Sequence, residues 1–303
     1  MSDHNNKDQI EVSFIEDFPS VKEGLFSLVP HLSKQKLKKQ NLNKNFLNKK
    51  ITYKDSLFLP IDLLNIGLIN SSYKGKEHKI IYEDINFLVI EKNYNTHIHP
   101  LKYTDNDSLL NWLYSKKNKY MNTNIKNYDR GLLNRLDYET SGIVYYAKSN
   151  EVYKELRTSF NTMIKQKTYL CIVHGKVENN QSIQHYLKPI GPKGNTVKTQ
   201  SFEEEGATKA TISCNLLYFN KSKNLSLVAI ELNEGHRHQI RVQLSAIGHP
   251  ILGDIKYGGD KSERLYLHCY SYVFNYLNIQ YDLKSTEYFE VNHLFNLEQI
   301  LLP

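Results

Sequence analysis

Asn134-Arg135-Leu136-Asp137-Tyr138-Glu139-Thr140-Ser141-Gly142 runs directly into the apolar stretch from Ile143 to Ala147. An arginine two residues before a carboxylate, in a turn that enters a strand-like run, describes an acid that is kept ionised and oriented. Thr140, Ser141 and Gly142 place hydroxyl and backbone donors around it. Two readings are open at this point. Asp137 is a nucleophile or base, or it belongs to a buried structural ion pair, which perturbs a carboxylate equally well.

The chain around this stretch has 303 residues and a formal net charge of +7. That length suits one large domain, or a catalytic domain with a small appendage. Mean hydropathy is −0.54, and no run approaches the roughly 18 apolar residues of a membrane span. Residues Met1 to Asn6 carry neither an export nor a transit pattern, which predicts a cytoplasmic protein. Cys171, Cys214 and Cys269 lie far apart and form no Cys-x-x-Cys pair, so they read as core residues rather than a disulfide framework or zinc site. The positive balance favours a polyanionic partner, although many proteins that bind no nucleic acid share it.

Along the chain, residues 1–20 are polar and acidic without a period and read as a frayed leader. Residues 21–70 form a small basic segment. Leu25, Leu28, Val29 and Leu32 suggest an amphipathic helix leading into Lys34, Lys36, Lys38 and Lys39. Lys34 and Lys36 are RNA-contact candidates there, or simply a solvated lysine face. A Gly, Ser and Lys rich stretch over 66–79 reads as a linker, and the main domain is expected over 80–303. Ile80 to Lys92, with apolar pairs broken by Glu83-Asp84, reads as two strands of a hairpin or as one strand followed by another. His97 and His99 could share a metal but lack a third ligand at a sensible spacing, so none is expected. Asn150 is placed to cap a helix bearing Val152, Leu156 and Phe160 on one face. Lys167 to Val173 reads as a strand with Lys167 and Tyr169 on the same side, and Gln181 to Gly206 reads as loop.

A second constellation follows. Gly235 to Pro250 is expected to be helical, with Arg237 and Arg241 one turn apart beside His238. Like charges so placed cost roughly 0.2–0.5 kcal/mol. A phosphate near the first turn, or the Asp137 carboxylate, would offset that cost, and an exposed basic helix is the alternative. Beyond it, Gly253-Asp254-Ile255-Lys256-Tyr257-Gly258-Gly259 is a turn in which glycine allows close backbone approach to a substrate or to a neighbouring strand.

Taken together, these stretches resemble the RluA-type RNA pseudouridine synthases. The family's aspartate motif looks like Asn134 to Gly142, its Lys-x-Tyr strand like Lys167-Thr168-Tyr169, and its His-Gln-Ile-Arg helix like His238 to Arg241. Its Ile-Gly-His-Pro segment resembles Ile247 to Gly258, and Leu267-His268 resembles its later Leu-His element. The resemblance covers about Ile80 to Phe289. It implies an α+β fold, with a long, mostly antiparallel sheet flanked by helices and a central RNA cleft. It also implies isomerisation of uridine to pseudouridine without metal or cofactor, in structured RNA, large-subunit ribosomal RNA being favoured over transfer RNA. By the same resemblance Asp137 is the catalytic carboxylate, Arg241 its ion-pair partner and Tyr169 the ring that stacks on uracil. Arg135 fills the gap left in the RNA stem, and Lys167, Arg237, His238 and Gln239 contact RNA. A monomer is expected.

The chain departs from the family pattern in three places. His236 stands where an arginine is usual, Asn93-Tyr94-Asn95 replaces a Pro-x-Gly turn, and Asn134 replaces a frequent histidine. Residues 21–64, and Pro30-His31-Leu32-Ser33-Lys34-Gln35-Lys36-Leu37 in particular, faintly resemble a degenerate alpha-L RNA-binding module. Two rival readings are a catalytically inactive RNA-binding or ribosome-assembly protein of the same fold, and a hydrolase that uses Asp137 on a sugar. The hydrolase needs a second carboxylate, and Glu139 is expected to face elsewhere.

Overall fold

The computed structural model describes residues 9–29, 32–65, 67–125, 127–232, 234–286 and 292–295. The side chains of 158–162, 193 and 292–293 lie outside that description, and with them the expected place of Phe160 on its helix face. Pro30 and His31 of the alpha-L resemblance also lie outside the described residues.

The strands in chain order are β1 (Gln9–Ser13), β2 (Ser56–Pro60), β3 (Lys79–Glu83), β4 (Phe87–Lys92), β5 (Ser141–Ala147), β6 (Ile164–His174), β7 (Gln181–Ile190), β8 (Thr196–Gln200), β9 (Thr208–Asn220), β10 (Leu225–Leu232), β11 (Leu267–Tyr276) and β12 (Ile279–Lys284). The helices are α1 (Val21–Leu28), α2 (Lys34–Lys38), α3 (Lys44–Leu47), α4 (Ile61–Leu64), α5 (Leu109–Lys117), α6 (Asn150–Met163), α7 (Gln239–Ala246) and α8 (Asn292–Phe295). The chain forms two compact units, Met1–Glu77 with His97–Gly131, and His78–Thr96 with Leu132–Pro303.

In the first unit β1 pairs antiparallel with β2, Gln9 opposite Pro60 and Ser13 opposite Ser56. Residues 9–13 are therefore a strand where a frayed leader was expected. The reason is the short alternation of Ile10 and Val12, which pack on a core of Phe14, Val21, Leu25, Val29, Ile51 and Leu59. Of the linker expected over 66–79, residues 67–77 are likewise part of this unit, while His78 and Lys79 belong to the second. The Asn70 carbonyl accepts from Asn111 Nδ2 at 2.7 Å, and Glu77 accepts from Trp112 Nε1 at 2.8 Å. Residues 97–131 also belong here rather than to the main domain. Composition reports local flexibility, and it could not reveal that α5 offers these partners. Lys34 and Lys36 are exposed on α2, whose first turn is capped by Ser33.

The second unit is built on a ten-stranded sheet in the order β3-β4-β5-β11-β6-β10-β9-β7-β8, with β12 beside β11. It is mixed α+β and mostly antiparallel; β5 and β11 are the parallel pair, joined at Ser141–His268 and Gly142–Cys269. β4 and β5 are buried along their whole length, as expected of strands covered on both faces. Phe87, Tyr145 and Tyr281 pack on Phe274, stacked with Tyr281 at 5.0 Å, while Tyr276 meets Phe87 and Tyr272 meets Tyr145. β3 and β4 pair antiparallel as a hairpin, one of the two arrangements that the sequence left open for Ile80 to Lys92. Residues 181–206, expected as loop, instead contain the hairpin β7–β8. Its outward face is polar, which hides the inward Ile183, Leu187 and Val197 from a composition-based reading. The cap of α6 is Ser149, whose Oγ accepts from Val152 N, one residue before the expected Asn150. Cys171, Cys214 and Cys269 are buried and free. No helix among the described residues is long and apolar enough to cross a membrane.

Candidate active site

Asp137 sits in the loop that enters β5. Asn134 folds this loop back on the strand: its Oδ1 accepts from Tyr145 N at 2.8 Å, and its Nδ2 donates to Ile143 O at 3.1 Å. Thr140 N closes the turn on Asp137 O. Gly142 is required where the strand begins. Its φ is +116°, and a Cβ would come within 2.2 Å of Cys269 O. Beneath the loop lies Lys92, fully buried, whose Nζ donates to the carbonyls of Asn93, Thr96 and Tyr138. Burial lowers its pKa to about 7, against the pull of Asp137 and Glu139. The missing Pro and Gly of the neighbouring turn are replaced here. Asn95 takes the left-handed conformation at φ +53°, and the backbone N–H of Asn93 donates to His78 Nδ1.

Arg241 reaches the same place from α7. Its Nε and Nη2 donate to the two oxygens of Asp254 at 2.8 Å each, in a pair that is almost wholly buried. Nη1 remains, buried and without a hydrogen-bond partner, 3.6 Å from Asp137 Oδ2 and 3.5 Å from Glu139 Oε2. Glu139 thus faces the arginine rather than pointing elsewhere, a correction that follows from the turn at Asp137 bringing both carboxylates to one side. Burial opposes the Arg241 charge, but the Asp254 hydrogen bonds and the nearby carboxylates outweigh it and hold the group charged. Burial raises the pKa of Asp137 despite Arg241, Arg237 and Lys92. His238 Nε2 lies 3.7 Å from the same Asp137 Oδ2. Such distances exceed hydrogen-bond range, as catalytic contacts often do before substrate binds.

The helix starts at Gln239, with His238 as its cap at φ +53°, so Arg237 precedes it. Arg237 and Arg241 therefore do not share a helix face as expected. Arg237 is exposed and donates to Gly194 O. Arg135 is exposed beside Asp137. Lys167 and Gln239, expected on RNA, are buried and committed to the protein. Lys167 Nζ donates to Glu234 O at 3.0 Å, while Gln239 Nε2 donates to Glu234 Oε2 and its Oε1 accepts from His236 N. They shape the loop 234–238, a task that motif spacing does not disclose. Tyr169 lies on β6, 7% exposed, its hydroxyl bonded into Tyr272 and Cys269. The structure therefore gathers Asp137, His238 and Arg241, with Glu139, Asp254 and Lys92 behind them. Asp254 stood in the quoted glycine-rich turn, but only its contact with Arg241 marks it. Among the described residues no group of three or more His, Cys, Asp or Glu is arranged to hold a metal.

Residues 86–246, which include Asp137 and Arg241, match the family model described as RNA pseudouridylate synthase. The chain belongs to this family. An uncharacterized RNA pseudouridine synthase of Helicobacter pylori is 32% identical over 206 residues, which cover 67% of this chain and 65% of that protein. Ribosomal large subunit pseudouridine synthase D of Pseudomonas aeruginosa is 32% identical over 184 residues, covering 60% of this chain and 54% of that one. The match thus spans less than two thirds of these relatives' lengths. Among solved structures, human RNA pseudouridylate synthase domain containing 1 shares the fold, with a TM-score of 0.59 at 21% identity over 71% of this chain and 86% of that one. The α+β architecture of the second unit is that of the pseudouridylate synthases.

Proposed function

We propose that this RNA pseudouridylate synthase family member isomerises uridine in structured RNA, large-subunit ribosomal RNA before transfer RNA, with Asp137 as the reacting carboxylate. The observation that carries the reading is the convergence of Arg241 Nη1 and His238 Nε2 on Asp137 Oδ2 at 3.6 and 3.7 Å. A uridine within a stem must leave the stack before a carboxylate reaches its ribose. Flipping costs a few kcal/mol, and a stacked aromatic returns about 1–3 kcal/mol per base; Tyr169 is the ring assigned to that role and Arg135, exposed beside Asp137, fills the vacated space. The N1–C1′ bond then breaks, uracil turns, a C5–C1′ bond forms, and the C5 proton is exchanged for one on N1. Whether Asp137 attacks C1′ or removes a ribose proton, it must be ionised and aimed, and Arg241 serves both needs. The net reaction is an isomerisation and needs no oxidant or cofactor. The similarity to ribosomal large subunit pseudouridine synthase D supports the ribosomal substrate.

The test is a pseudouridine map of total RNA from cells lacking the protein, complemented with wild type or Asp137→Ala. Sites lost in the deletion and restored by wild type alone establish the reaction and its substrate. A map unchanged by deletion favours the rival reading, a catalytically silent RNA-binding or ribosome-assembly protein.

A further inference from the structure

We propose that Tyr257 is a positioning residue that locks His238 in one tautomer, so that the imidazole presents its Nε2–H to Asp137. The inference rests on the reading of Asp137 as the reacting carboxylate. Tyr257 ends a short 3-10 turn, Ile255–Tyr257, and its backbone carbonyl accepts from Ser245 Oγ on α7 at 2.6 Å. Its hydroxyl oxygen accepts a hydrogen bond from Val197 N at 3.1 Å, and lies 2.8 Å from His238 Nδ1. The Val197 N–H fills one of that oxygen's two lone pairs, and in the proposed arrangement the phenol's own proton goes to Nδ1. Nδ1 is then an acceptor, and a neutral imidazole must carry its proton on Nε2. Nε2 is the atom that faces Asp137 Oδ2.

The surroundings keep the ring neutral. Burial, then Arg241, Lys256 and Arg237, lower the pKa of His238 to about 4, outweighing Glu139. A neutral N–H orients a lone pair of the carboxylate without adding a second cation to Arg241, which leaves Asp137 its charge and its reactivity. The geometry is held at some cost to the backbone. His238 sits at φ +53° and ψ +19°, a left-handed conformation that disfavours residues with a Cβ. The Tyr257 ring meets the imidazole edge-on at 5.6 Å and lies 5.4 Å from the Arg241 guanidinium. One phenol therefore supports both groups that face Oδ2. Sequence reading assigned His238 to RNA and Tyr257 only to a turn; the hydrogen-bond chain Val197, Tyr257, His238 gives both a different task.

Tyr257→Phe removes the hydroxyl and keeps the ring. In the free protein, nitrogen NMR of the imidazole, assigned by difference from His238→Gln, should show the Nε2–H form in wild type and a mixture in Tyr257→Phe. On an unmodified transcript spanning a site mapped in the deletion cells, Tyr257→Phe should lower the single-turnover rate about 10- to 100-fold, the size expected for one donor to a charged group. RNA affinity should stay within about twofold, since the ring is retained. His238→Gln, which can place an amide N–H near Nε2, should retain more rate than His238→Asn, which matches Nδ1 instead. A wild-type ring protonated on Nδ1, an unaltered rate in Tyr257→Phe, or a loss confined to RNA affinity overturns the relay. Asp137→Asn runs in the same assay: full activity there overturns Asp137 as the reacting carboxylate, and the relay with it, whereas an inactive Asp137→Asn beside a normal Tyr257→Phe overturns the relay alone.

Discussion

Asp254 holds Arg241 through both carboxylate oxygens at 2.8 Å, leaving one guanidinium nitrogen, Nη1, to face Asp137. A bidentate grip fixes the plane of the guanidinium as well as its position. Asp254→Asn leaves a buried arginine without its main counter-charge, and breaking such a pair typically costs about 3–5 kcal/mol. We expect a loss of that order in urea unfolding, with turnover falling further than the folded fraction accounts for.

Asp137 pays for its placement in stability. Its folded pKa is raised by burial, so its stabilising share is complete below the ordinary carboxylate range and is lost as pH rises through the raised value. At neutral pH the ionised group therefore opposes folding. Asp137→Asn should melt at or above wild type at pH 7, with the difference shrinking as pH falls toward 4, and should make no pseudouridine. Thermal melts at several pH values check the first expectation, and nucleoside analysis of the RNA checks the second.

Lys92 has the opposite sign. Its folded pKa, about 7, lies below the ordinary 10.5, so between these values the unfolded chain binds a proton that the folded chain has released. Stability should rise with pH across that window relative to Lys92→Met, which lacks the titration. Urea unfolding of both proteins at pH 7 and pH 9.5 measures it; parallel shifts would contradict the burial of a neutralised amine. Because the variant also deprives the Asn93, Thr96 and Tyr138 carbonyls of a donor, its turnover should fall as the loop bearing Asp137 loosens.

Gly142→Ala should fail to fold or lose more than about 3 kcal/mol, because a side chain at positive φ would press into the Cys269 backbone across the parallel pair. Circular dichroism and recovery of folded protein test this. Ser141→Ala, which removes only a hydroxyl bonded to His268 and Arg264, should be far milder and serves as the comparison.

The sequence by itself determined the order of the motifs, because each is a contiguous run, and the resemblance those motifs carry implied Asp137 and Arg241 as partners where residue chemistry alone left a structural ion pair and a bound phosphate open. Local periodicity also marked Ile80 to Lys92 and Lys167 to Val173 as strand-forming, but it read β1 as part of a leader and β7 and β8 as loop. What the tertiary structure decided were contacts between segments remote in the chain. Asp254 meets Arg241 across a turn, Tyr257 meets Val197 sixty residues away, and Lys92 lies under a loop that begins more than forty residues later. The same dependence explains the corrections. Residues 9–13 become a strand only when β2 arrives beside them, and Lys167 and Gln239 turn inward because Glu234 waits there to receive them. Hydrogen bonds and burial are properties of the packed pair, and a buried polar group keeps its place only if the fold delivers its partner.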